Sequence, residues 1–133
     1  MDAIDWITKS MFGKRRVQTF GFVAIAGALG ALFRYGIEFI GISGHGSTLL
    51  ANVIGCLLLG VFIVIVGPEN RRIRAIIGGG FIGSMTTYSG LATAVVATSP
   101  VRGALYLGVT YAAGLLAIWL GSELAGRGGY RWS

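Results

Sequence analysis

The chain has 133 residues, 54% of them hydrophobic and only 12% charged, with a mean hydropathy of +0.75. A soluble domain carries about 25% charged residues, so this composition excludes a soluble globular protein and leaves one small all-α membrane domain. The net charge of +6 does not indicate nucleic acid, because the basic residues stand in short clusters between apolar spans, as topology signals do.

Residues 1–16 are too short and too polar to span a bilayer. Ile4, Ile7 and Met11 recur at helical spacing beside Lys9 and the cluster Lys14, Arg15 and Arg16. This suits either an interfacial helix on an anionic surface or a mobile terminus. The order of charge and apolar residues is not that of a cleavable signal peptide.

The spanning domain is expected over 17–125, in four transmembrane helices. The first runs from about Val17 to Ile40. Arg34 lies fourteen residues beyond Phe20, roughly 21 Å of helix, which puts it near the far edge of the hydrocarbon. It reads as a snorkelling anchor paired with Glu38 or as a functional intramembrane charge. His45, in the following link, is expected to be solvated.

The second span, Thr48 to Val66, contains one strongly polar residue, Asn52. Its amide must be hydrogen-bonded, either to another helix or to a permeating species, and polarity alone does not choose. Cys56, the single cysteine, reads as a small packed hydrophobe. The basic residues Arg71, Arg72 and Arg74 then precede the third span, Ile73 to Thr98, which ends at Ser99 and Pro100.

Within that span, Gly78 to Thr93 reads GGGFIGSMTTYSGLAT. Close packing of small residues explains Gly78 to Gly80. It explains TTYS poorly. Repeated glycine weakens a helix, and a broken helix persists in a bilayer only where its freed backbone faces protein or a polar cavity. Ser84, Thr86, Thr87, Tyr88 and Ser89 can supply partners there. The fourth span, about Arg102 to Ala125, carries Thr110 roughly 12 Å deep; single intramembrane threonines mostly bond their own backbone. Residues 126–133 form a Gly-rich tail, read as mobile.

Three stretches resemble the Fluc family of fluoride channels in order and spacing. GALFR, from Gly30 to Arg34, is similar to the family's GxxxR. STLLANVIG, from Ser47 to Gly55, is similar to GTLxxNxxG, and GFIGSMTTYS, from Gly80 to Ser89, to GxxGGxTTFSTF. The resemblance implies an antiparallel dimer with a broken third helix and two passive, fluoride-selective pathways. By position it implies a fluoride pathway at Asn52, Tyr88, Ser89, Arg34 and, most loosely, Thr110. It also implies a structural sodium ion, Na+, held by the backbone carbonyls of Gly83 and Thr86. The chemistry agrees. A small, strongly hydrated anion entering a dry pore needs amide and hydroxyl donors or the positive edge of a ring. Carbonyls at a helix break suit a hard cation.

Two departures separate the chain from that pattern. The second phenylalanine of TTFSTF is here Leu91, which has no ring edge. The charge is also lopsided. With four spans, Lys9, Lys14, Arg15, Arg16, Arg71, Arg72, Arg74, Arg127 and Arg131 share one side, nine of the eleven Lys and Arg. This implies a multi-pass protein of the inner (plasma) membrane with both termini cytoplasmic. One fixed orientation then calls for a different, oppositely inserted partner. The resulting reading is half of a heterodimeric channel that lowers cytoplasmic fluoride. Alternatives are a homodimer with altered pore lining, a small multidrug-type transporter, for which only Glu38 and Glu123 could couple, and a noncatalytic assembly subunit. No nucleophile, base or metal-ligand cluster indicates an enzyme.

The charge asymmetry makes a direct prediction. A thiol introduced by His45→Cys should label from outside in every molecule, and one introduced by Asn70→Cys from inside. A mixed population at either position would contradict a single orientation.

Overall fold

The computed structural model describes residues 13–39 and 44–126, and the regular structure among them is helical. Helix α1 (Lys14–Phe39), helix α2 (His45–Ile65) and helix α6 (Pro100–Gly126) are each long and apolar enough to cross a membrane. Between α2 and α6 the chain is subdivided. Helix α3 (Arg71–Ile73) runs into a π-helix (Arg74–Ile82) and then α4 (Gly83–Met85), and α5 (Tyr88–Val96) follows after two residues. With several apolar helices able to cross a bilayer, this is a multi-pass membrane protein. The first twelve residues and those after Gly126 lie outside the described residues, as do the expectations placed on them.

The boundaries expected for spans one, two and four hold to within three residues, and the differences have physical causes. Helix α1 takes in the basic cluster Lys14, Arg15 and Arg16. Pro100 does not merely end the preceding helix; it opens α6, where a fixed φ suits the first turn and a missing N–H leaves nothing unsatisfied. The third span, expected over Ile73 to Thr98 with a break within it, is occupied by α3, the π-helix, α4 and α5. Its three consecutive glycines fall inside the π-helix, and the Gly83 N–H still reaches back five residues to the Gly78 carbonyl, the wide-turn pattern.

Two helix pairs form the body of the chain. Helix α2 packs mainly on α6, and α1 mainly on the π-helix. Backbones meet directly in both. A Cβ on Gly30 would overlap the Phe81 carbonyl, and one on Gly80 would stand 2.9 Å from the Val23 oxygen. In the other pair, Gly60 faces the Ile118 carbonyl and Gly121 that of Leu57. Lipid removes the hydrophobic drive between helices, so close contact between small residues carries their association. Met85 is the largest fully buried side chain. Phe20, Leu32, Leu115 and Trp119 face outward, as suits a surface whose solvent is hydrocarbon or another subunit.

These contacts predict a contrast along α1. Gly30→Ala forces a methyl against a backbone carbonyl that cannot rotate away, so it should cost about 2 kcal/mol and lower the melting temperature in detergent. Gly36→Ala, with nothing within 4 Å of the new Cβ, should leave it nearly unchanged. Equal effects at both positions would show that the α1 contact does not depend on glycine.

Candidate functional site

The site is built around two extended residues. Thr86, with φ −81° and ψ 153°, ends α4, and Thr87, with φ −141° and ψ 119°, precedes α5. Leaving the helical path frees backbone groups that a nonpolar surrounding cannot satisfy. Side chains cover several of them. The Thr86 hydroxyl lies 3.3 Å from the carbonyls of both Ile82 and Gly83, covering the end of α4. The Thr87 hydroxyl accepts from the Gly90 N–H at 3.1 Å, which makes Thr87 the N-cap of α5, and stands 3.1 Å from the Ser89 hydroxyl.

The backbone of Thr87 is held from α2. Its N–H donates to Asn52 Oδ1 at 2.8 Å, and Asn52 Nδ2 donates to its carbonyl at 3.3 Å. One primary amide therefore satisfies both peptide groups of the residue at the interruption. A carboxamide has two N–H donors, so one remains after this pairing. Asn52 thus bonds another segment, as one of its two readings expected, and retains a donor for a second partner.

Asn52 belongs to the wall of a cavity of about 420 Å³ lined also by Gly83, Thr86, Tyr88 and Thr110, with Leu91 among the apolar residues. Tyr88 stands at its rim, 75% exposed. Thr110 is buried, and its hydroxyl proton is given to the Tyr106 carbonyl at 2.8 Å. It can offer that proton to an anion only by rotating.

A second cavity, of about 390 Å³, is lined by Arg34, His45, Thr48, Ser89 and Thr93. The expected sites therefore divide, with Arg34 and Ser89 here and the others around the first cavity. Arg34 makes no ion pair with Glu38 among the described residues, and its Nε is buried without a hydrogen-bond partner. His45 is exposed, as expected, but it does not lie in the link. It begins α2, its carbonyl accepts from Tyr106 Oη at 2.7 Å, and the rings meet edge-on at 5.7 Å. The reason is that α2 starts three residues earlier than expected and runs alongside α6.

Sequence reasoning named Thr87 only as a possible partner for freed backbone, and it left Tyr106 and Thr48 out of the site. Thr87 carried a usable signal, since a threonine three residues before Gly90 at a helix restart reads as an N-cap. The contacts of Tyr106 and Thr48 depend on which helices become neighbours.

The carbonyls expected to bind sodium can be judged on geometry. The Gly83 oxygen receives only the long Thr86 hydroxyl contact, and no hydrogen bond reaches the Thr86 oxygen among the described residues. Two under-used carbonyls suit a hard cation, which prefers several oxygen ligands. One chain supplies part of such a shell. Among the described residues no cluster of His, Cys, Asp or Glu offers an alternative metal site.

Comparison with known proteins covers the same region. The family model described as CrcB-like protein, Camphor Resistance (CrcB), matches residues 21–122. A fluoride-specific ion channel FluC 1 from Methanospirillum hungatei is 30% identical over 114 residues, 84% of this chain and 81% of its own length. FluC 2 from Rhodococcus jostii is 39% identical over 110 residues, 77% of this chain and 94% of its own. FluC 1 from Streptococcus pneumoniae serotype 4 is 39% identical over 107 residues, 75% and 94% respectively. The matched stretch holds α2, the interruption, α5 and every residue named in the two cavities, and the relatives match along most of their own length. On that evidence the chain belongs to the CrcB family.

Proposed function

We propose that this chain is a subunit of a passive, fluoride-selective channel that lets fluoride leave the cytoplasm, and that it forms one half of an antiparallel heterodimer. The observation that carries the reading is the convergence of Asn52, Tyr88 and Thr110 on one cavity beside the interruption, in a chain whose relatives are named fluoride-specific channels. A dehydrated fluoride must exchange water for fixed donors. The free Nδ2–H of Asn52 is held in place by the other contacts of the same amide. Tyr88 adds a hydroxyl or a ring edge at the rim. Arg34 and Ser89, in the second cavity, attract and receive the anion at the opposite end of the path. Transport needs no coupling, and the direction follows the gradient.

A multidrug-type exporter is disfavoured by the same geometry. Such a carrier needs a deep carboxylate, and no Asp or Glu is among the residues lining either cavity. In the channel reading, the Gly83 and Thr86 carbonyls contribute half of a shell for one structural Na+, completed by the oppositely oriented subunit. The partner follows from two features. Leu91 lines the first cavity with no ring edge to offer, and nine of eleven basic side chains favour one insertion, with the termini cytoplasmic. A noncatalytic assembly subunit would use the same polar groups only as interhelical bonds, and flux measurements separate the two.

Liposomes containing this chain alone should show little fluoride efflux. Co-reconstitution with a homologous chain of reversed loop charge should give efflux selective for fluoride over chloride, with both chains in one complex. Strong fluoride currents from the chain by itself, in an antiparallel dimer, would overturn the heterodimer and leave the channel standing.

Asn52→Ala tests the double role of the amide. It should abolish or strongly reduce efflux through the two-chain complex. Because Thr87 then loses partners for both its N–H and its C=O, it should also destabilise the fold by about 1–3 kcal/mol. Unchanged efflux with lowered stability would reduce Asn52 to a structural bond.

A further inference from the structure

The packing of α1 on the π-helix has a consequence at the end where both begin. Gly80 lies against Val23 and Ala26, Gly27 against Ser84, and Gly30 against Phe81 and Met85. Contacts that advance together along both segments mean that the two run parallel. The parallel run puts Arg71–Arg74 and Lys14–Arg16 at the same end of the pair. Two basic clusters separated by more than fifty residues of sequence therefore share one end of one helix pair. The guanidinium of Arg72 reaches α1 itself, lying 5.5 Å over the ring of Phe22.

The six cations at this end are Lys14, Arg15, Arg16, Arg71, Arg72 and Arg74. All but the half-buried Arg74 are exposed, and none forms an ion pair among the described residues. Glu69 accepts from Asn70 Nδ2, and Glu123, near the end of α6, has an interaction of its own. No acidic residue occupies the first turn of α1 or α3. Like charges gathered at one end repel unless an anion joins them. Arg72 is also prepared for one, since stacking uses the face of its guanidinium and leaves the in-plane N–H groups available to phosphate oxygens.

We infer that this end of the α1–π-helix pair is a binding surface for the phosphate groups of anionic phospholipid, seated between the two basic clusters. Lipid is the occupant that the position selects. The clusters stand where apolar spans begin, with Phe20 and Phe22 exposed just above them, so one molecule can place its phosphate on the cations and its chains on the rings. A general surface potential requires only charge on the correct side of the membrane. This surface requires the two clusters together.

The test measures the melting temperature of the purified full-length protein in neutral detergent, with added phosphatidylglycerol or phosphatidylcholine, while native mass spectrometry counts retained lipids. Phosphatidylglycerol should raise the midpoint by about 5 °C and remain bound, and phosphatidylcholine should do neither. The variant Arg72→Gln with Arg74→Gln should lose that rise, measured against its own midpoint in phosphatidylcholine, and the retained lipid. The variant Arg127→Gln with Arg131→Gln, equal in net charge, should keep both. Loss of the effect in both variants, or in neither, would overturn the site. An equal rise with inorganic phosphate would replace the lipid by a free anion and overturn it as well.

Discussion

The pairing of the Asn52 carboxamide with both peptide groups of Thr87 is the interaction on which the functional part of this molecule depends. A helix satisfies its backbone internally, so any interruption inside an apolar environment must import its hydrogen bonds. Here α2 supplies them to the segment between α4 and α5, and Thr87 returns a cap to the Gly90 N–H. Removing either contribution leaves buried peptide groups unsatisfied, which is costly. The interruption is therefore not slack in the chain; it is a fixed point between two segments with separate partners.

Both cavities are arranged about that point. Asn52, Tyr88 and Thr110 border the first, and Ser89, joined to the Thr87 hydroxyl, borders the second with Arg34. One residue thus connects the walls of both. Donors held in this way need little reorganisation when an anion arrives, the property a selective passive pore requires. The two close-packed helix pairs serve the same end. Where carbonyls stand where side chains would otherwise be, at Gly30 and Gly121, the backbones cannot slide without collision, and the cavity walls keep their spacing.

Charge is distributed with equal economy. Six cations collect at the end where α1 and α3 begin, while the second cavity holds Arg34, whose Nε is buried without a partner. In the roles we propose, the first group addresses a membrane surface and the second a mobile anion. Side-chain chemistry is the same in both; exposure and neighbours separate their roles.

The sequence by itself determined the class of the molecule. Apolar runs of spanning length do not depend on packing, so α1, α2 and α6 were legible to within a few residues, as was the change of character at TTYS, where hydroxyls crowd beside glycines. Residue type also selected Asn52 and Thr110, because strongly polar groups in apolar runs are few. Tertiary structure decided what those groups do. Whether Asn52 faces a helix or a cavity depends on α2 lying beside the interruption, and it touches both. The separation of Arg34 and Ser89 from Asn52, the seating of His45 on Tyr106, and the gathering of Lys14–Arg16 and Arg71–Arg74 at one end of a helix pair all follow from which helices become neighbours. Local periodicity carries no information about that choice, because in lipid it is made by the fit of small residues between helices distant in the chain.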